Sequence, residues 1–123
     1  MKPNAKTICL CAQFCWGGKV VNLVTSAASN PFKVGAAVHP AFIDAKDAAA
    51  IKVPMMLLGS QDEDAAEIKA YEEALTVPHH VEIFEDQVHG WMAARSDLKD
   101  PRVKEEYERG YKTVLSFFGK HLS

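Results

Sequence analysis

The sequence predicts a parallel α/β layer. Short β-compatible runs recur along the chain, and each is followed by a stretch with helical spacing of apolar residues. The runs at Thr7–Phe14 and Pro54–Gly59 are continuously apolar, as in strands covered on both faces. No repeat, linker or low-complexity segment interrupts this alternation, so residues 1–123 read as a single domain.

The elements follow in order. Thr7–Phe14 is the first strand. Val20, Leu23, Val24 and Ala27 then recur at helical spacing, and Asn30-Pro31 ends that helix. Val34–Val38 is a second strand, halted at His39-Pro40 because proline cannot donate to the ladder. Asp44 can cap a short helix that runs to Ile51. Pro54–Gly59 is the third strand, and Ile68, Tyr71 and Leu75 share one face of the helix after it. Val81–Phe84 is the fourth strand, and residues 85–100 form a loop. Asp100-Pro101 is a cap with proline at the first helical position. The last helix carries an apolar stripe of Val103, Tyr107, Tyr111, Val114, Leu115, Phe118 and Leu122.

Composition narrows the function. A net charge of −2 gives no electrostatic reason to expect nucleic acid or an anionic membrane as partner. No apolar run reaches signal-peptide or spanning length, so the expected location is cytoplasmic. Cys9, Cys11 and Cys15 crowd into one segment, unsuited to a disulfide framework. Their spacing lacks a fourth soft ligand nearby, so no metal and no cofactor are expected. Cys9 and Cys11 alternate with Ile8 and Leu10 and read as small apolar strand residues.

Cys15 differs, since it stands between a strand and a helix in Gln13-Phe14-Cys15-Trp16-Gly17-Gly18. A tight turn there lifts one side chain above the sheet and aims a helix N-terminus at it. That partial positive charge should lower the thiol pKa. Cys15, His39, Asp62 and His89 all fall just past a strand, where parallel sheets gather their chemistry. His89 can take the thiol proton, and Asp62 can fix the imidazole tautomer. Asp62 and Asp64 are also both placed to cap the next helix. His39 reads as a histidine lining the crevice, and Arg95 as a solvated residue or a clamp for a carboxylate.

The chain resembles the dienelactone hydrolase family, most closely its fungal branch. The resemblance rests on Phe14-Cys15-Trp16-Gly17-Gly18-Lys19, His39-Pro40, Gly59-Ser60-Gln61-Asp62 and Val88-His89-Gly90-Trp91-Met92-Ala93-Ala94-Arg95, and extends from about Lys6 to the C-terminus. It implies a hydrolase of small lactones or carboxylic esters, often carboxylate-bearing, with no cofactor. It further implies Cys15 as nucleophile, His89 as base, Asp62 as orienting acid and the Trp16 amide as an oxyanion donor. Arg95, His39 and Trp91 are expected on the substrate side.

Two departures qualify the resemblance. The family places glycine two residues before the nucleophile, whereas this chain has Gln13. Family members also carry several strands and helices before the elbow strand, and here about six residues precede it. The expected architecture is therefore a partial α/β-hydrolase fold: a parallel sheet of about four strands with flanking helices, its N-terminal half missing. The missing half would hold the second oxyanion donor, whose loss costs roughly 10²–10³ in rate. It would also leave the first strand as an open apolar edge, suited to pairing with another copy or a partner chain. A binding module built on that edge is the competing functional reading.

Overall fold

A computed structural model describes residues 10–122. The expected strand start at Thr7 and the residue Cys9 lie outside them. The element order is β1 (Leu10–Phe14), α1 (Gly17–Ser26), β2 (Val34–Val38), α2 (Ala45–Ala50), β3 (Met55–Ser60), α3 (Ala65–Ala74), β4 (His79–Phe84) and α4 (Pro101–Leu122). Among the described residues the four strands form one sheet in the order β1-β2-β3-β4, every pair parallel. This is the α/β architecture expected from the alternating pattern.

The strand period of two sorts the core into two layers. Ala36, Val38, Met56 and Leu58 face α4 and pack with Phe84, Trp91, Val114, Phe117 and Phe118. Met55 and Leu57 face the other way, against Val21, Ala48, Ile68 and Tyr71 of the three shorter helices and Ile51 just past α2. Helices cover both faces, as a parallel sheet requires.

Helix ends follow local chemistry. Asp44 accepts from the Lys46 amide at 2.8 Å, and Asp64 from the Ala66 amide at 2.8 Å. Asp100 accepts from the Arg102 amide at 2.8 Å. These carboxylates satisfy amides that a first helical turn leaves unpaired.

The face of α4 differs from the expected stripe. Glu106, Gly110, Val114, Phe117 and Phe118 are buried, while Leu115 is 68% exposed. Two features rotate the helix. A Cβ on Gly110 would lie 2.5 Å from Met92 Sδ, so glycine lets the helix approach that turn closely. Glu106 is buried because Arg109 neutralises it, with Nη2–Oε2 at 2.8 Å.

Candidate active site

The site is built from the turn after β1 outward. Cys15 adopts φ 54°, a left-handed conformation that costs a non-glycine residue roughly 1 kcal/mol or more. The turn is held from both sides. The Cys15 amide donates to Val38 O at 3.1 Å, and its carbonyl accepts from Gly18 at 3.1 Å and Ala41 at 3.0 Å. The end of β2 thus fixes the elbow on β1.

Gln13, the departure from the family pattern, has a local compensation. A Cβ on Gly17 would meet Gln13 Cβ at 2.9 Å and Gln13 Oε1 at 2.8 Å. A side chain two residues before the nucleophile is accommodated because the residue two places after it has none.

His39 stands directly on the thiol. Its Nδ1 lies 3.4 Å from Cys15 Sγ, and the residue is fully buried. Its backbone is also left-handed, at φ 35°, with the amide donating to Leu58 O at 2.6 Å. The ring packs against Phe14 at 5.6 Å, His89 at 5.1 Å and Trp91 at 5.3 Å between centroids. Burial first, and then the neighbouring His89, push its pKa down to about 4.

His89 reaches the same point from the loop after β4. One nitrogen of His39, one of His89 and Cys15 Sγ all lie within 4.8 Å of one another, a constellation able to hold a metal ion. Two carboxylates hold His89. Asp62 accepts from the His89 backbone amide at 2.7 Å, and Glu63 Oε2 lies 3.4 Å from ring Nδ1. The imidazole therefore faces Glu63, whereas the expected orienting acid Asp62 secures its main chain. Glu63 is itself fixed: it accepts from the Ser60 amide at 3.0 Å and the Ser60 hydroxyl at 2.5 Å. Its side chain is 5% exposed. Asp64, the other acid of the cluster, caps α3.

The expected low thiol pKa is reversed. Burial, and secondarily the Glu63 carboxylate, push the Cys15 thiol up.

The expected substrate-side residues occupy different places. Trp91 is fully buried, stacked on Phe84 at 4.8 Å, because the turn after His89 drives it into the core. His39 is likewise buried, beneath the sulfur. Arg95 Nη1 donates to His89 O at 3.4 Å. Its side chain lies over Gly90, where φ is 92° and a Cβ would stand 3.3 Å from Arg95. A cleft of about 390 Å³ opens beside His89, walled by Pro40, Ala41, Phe42 and Ile43 on one side and by Asp62, Glu63, Asp64 and Glu67 on the other.

Sequence reading missed Glu63. Its signal was present: Ser60-Gln61-Asp62-Glu63 matches the Ser-x-x-Glu pattern in which a glutamate folds back onto a serine amide.

Comparison with known proteins places the chain. The sequence model of the dienelactone hydrolase family matches residues 3–122. An uncharacterized AIM2 family protein of Schizosaccharomyces pombe is 47% identical over 110 residues, covering 85% of this chain and 43% of that protein. The hydrolase pyvD of Aspergillus violaceofuscus is 31% identical over 115 residues, covering 89% and 46%. The chain thus spans less than half the length of these curated relatives. Among solved structures, a protein named as a dienelactone hydrolase from Klebsiella pneumoniae superposes with TM-score 0.72 at 15% identity, covering 89% of this chain and 51% of that one. An acylaminoacyl peptidase from Pyrococcus horikoshii gives 0.66 at 18% identity, covering 92% and 24%. At those identities the likeness is one of fold. The match along nearly all of its length shows that the chain belongs to the dienelactone hydrolase family.

Proposed function

We propose that the chain carries the thiol-dependent chemistry of a hydrolase acting on small lactones or carboxylic esters. One observation supports this above the others: Cys15 Sγ, on a strained elbow at the carboxyl end of β1, shares a 4.8 Å cluster with two imidazoles. Cys15 is the nucleophile and His89 the base. Glu63 holds the His89 ring through Nδ1, leaving Nε2 for the sulfur, and Asp62 anchors the loop through the His89 amide.

The steps balance without a cofactor. His89 takes the Cys15 proton as sulfur attacks the ester carbonyl carbon, and the oxyanion turns to the Trp16 amide. The C–O bond breaks, the leaving oxygen takes the proton from His89, and a thioester remains. Water, deprotonated by His89, then cleaves the thioester and returns the thiol. His39 supports the sulfur from the buried side. Its low pKa keeps it neutral near pH 7, so it adds no second positive charge beside His89.

Kinetics of a small activated ester test the assignment. Cys15→Ala should remove turnover. Glu63→Gln should lower kcat by about 10²–10⁴, as loss of a tautomer-fixing carboxylate does. Asp62→Asn should cost less, because an amide oxygen still accepts from the His89 backbone. A larger loss in Asp62→Asn would transfer the orienting role to Asp62. Arg95→Ala should raise KM for a carboxylate-bearing lactone only if Arg95 leaves the His89 carbonyl on binding; equal loss on a neutral ester argues for the loop contact seen here.

A binding role through the sheet edge is the second reading, supported by one feature. Among the described residues β1 pairs with β2 alone. Concentration-dependent self-association without ester turnover would favour it.

A further inference from the structure

We propose that Cys15, His39 and His89 form a zinc site, a Cys-His₂ set that binds Zn²⁺ with a water in the fourth position. A thiolate with two imidazoles suits this borderline-soft ion, and three protein ligands with one open position is a recurrent zinc geometry.

The spacing fits. With Zn–S of about 2.3 Å and Zn–N of about 2.0–2.1 Å, a tetrahedral ion sets S···N near 3.6 Å and N···N near 3.4 Å. Cys15 Sγ and His39 Nδ1 already stand 3.4 Å apart. The three ligand atoms lie within 4.8 Å of one another, so His89 closes on the pair by roughly 1 Å. Its ring is one-third exposed and sits in the turns between β4 and α4, which leaves room for that shift.

The surroundings are also those of a metal ligand set. Histidines that bind metals usually give their other ring N–H to a carboxylate, which orients the ring. Glu63 occupies that place on His89 Nδ1, and Ser60 fixes Glu63 in turn. His39 presents its Nδ1 to the sulfur, and its buried Nε2 has no partner among the described residues. Left-handed backbone at both Cys15 and His39 locks the two short-range ligands in place before any ion arrives. The thiolate and Glu63 together offset the two charges of the ion. On binding, the Cys15 S–H proton passes to solvent as the S–Zn bond forms.

The site coincides with the proposed nucleophile, so bound zinc and an acyl group would compete for the same sulfur. Metal binding is read without turnover, however, and the site stands or falls independently of the hydrolase reading.

Cobalt(II) titration of the full chain tests it, because thiolate-to-cobalt charge transfer reports sulfur ligation. One equivalent should bind, displaceable by Zn²⁺. Cys15→Ser should abolish the band. His39→Ala and His89→Ala should each weaken binding at least about tenfold, since even outer-shell losses cost 10–100-fold. Absence of a band, a band that survives Cys15→Ser, or affinity unchanged in both histidine variants would overturn the proposal. A second measurement needs no variant: Zn²⁺ should protect Cys15 from iodoacetamide, and a chelator should restore labelling. Unprotected labelling at saturating Zn²⁺ would overturn it equally.

Discussion

At the carboxyl ends of the strands His39 is fully buried and His89 partly so, and their rings meet at 5.1 Å over one sulfur. At the amino ends His79 and His80 open β4 in exposed positions, each beside a glutamate: Glu72 at 3.7 Å and Glu82 at 3.1 Å. A groove of about 620 Å³ lies at this second end, lined by both histidines with Arg109, Lys112 and Phe117. It is larger than the cleft at His89, yet the ion pairs of its two histidines are exposed and worth little individually. Next to the smaller cleft, which His89 lines, groups from separate elements meet at one sulfur. Convergence, rather than volume, is what supports the proposed site.

Substitutions at the two ends should behave differently. The largest effect is on turnover. Cys15→Ala should lower ester hydrolysis by at least about 10³, while His79→Ala should leave it within about twofold. Comparable losses would erase the distinction between the ends.

Stability should show a second contrast, along α4. Phe117→Ala should cost about 3–4 kcal/mol in denaturant unfolding, because its ring is 7% exposed and joins the core. Leu115→Ala, at 68% exposure, should stay within about 0.5 kcal/mol. Equal costs would restore the stripe expected from spacing alone.

The elbow offers a third test. Gly17→Ala should destabilise by about 1–3 kcal/mol through overpacking against Gln13. Gln13→Gly in the same chain should recover part of that loss. Strict additivity of the two changes would show that the residues do not share the space.

The smallest effect is a pH dependence remote from the sulfur. Burial pushes the Glu82 carboxyl up, but hydrogen bonds from Arg109 and His80 outweigh it and hold it below its ordinary 4.5. A depressed folded pKa contributes stability above the unfolded value and loses it as pH falls through the folded one. The stability difference between the wild type and Glu82→Gln should therefore shrink as pH falls below 4.5. A difference that grows on acidification would contradict the assignment.

Much of the fold was legible because parallel strands buried on both faces leave long apolar runs, as in Met55–Leu58, and because Asp44 and Asp100 announce helix starts. The rotation of α4 was not legible. It depends on Gly110 meeting Met92 and on Arg109 neutralising Glu106, contacts between elements that spacing does not encode. At the site, Cys15 and His89 were readable from their places after strands. The carboxylate facing the imidazole was harder, because three acids in succession differ only in where a tight turn points them. Ser60 decides it by drawing Glu63 inward, leaving Asp62 for the backbone and Asp64 for the helix. The burial of Trp91 depends on how the loop after β4 folds back toward His39, and the contact of His39 with the sulfur on the β1–β2 register, which sets Phe14 beside Val38.

If the Cys15 sulfur forms the covalent bond in the proposed reaction, its acyl group can be trapped. The chain should be mixed with a slowly hydrolysed activated ester, quenched in acid, and mapped by peptide mass spectrometry. One acyl group is expected on the peptide containing Cys15, absent in Cys15→Ala and persisting longer in His89→Ala once formed. An acyl group on Ser60 or another hydroxyl, or turnover retained in Cys15→Ala, would contradict it.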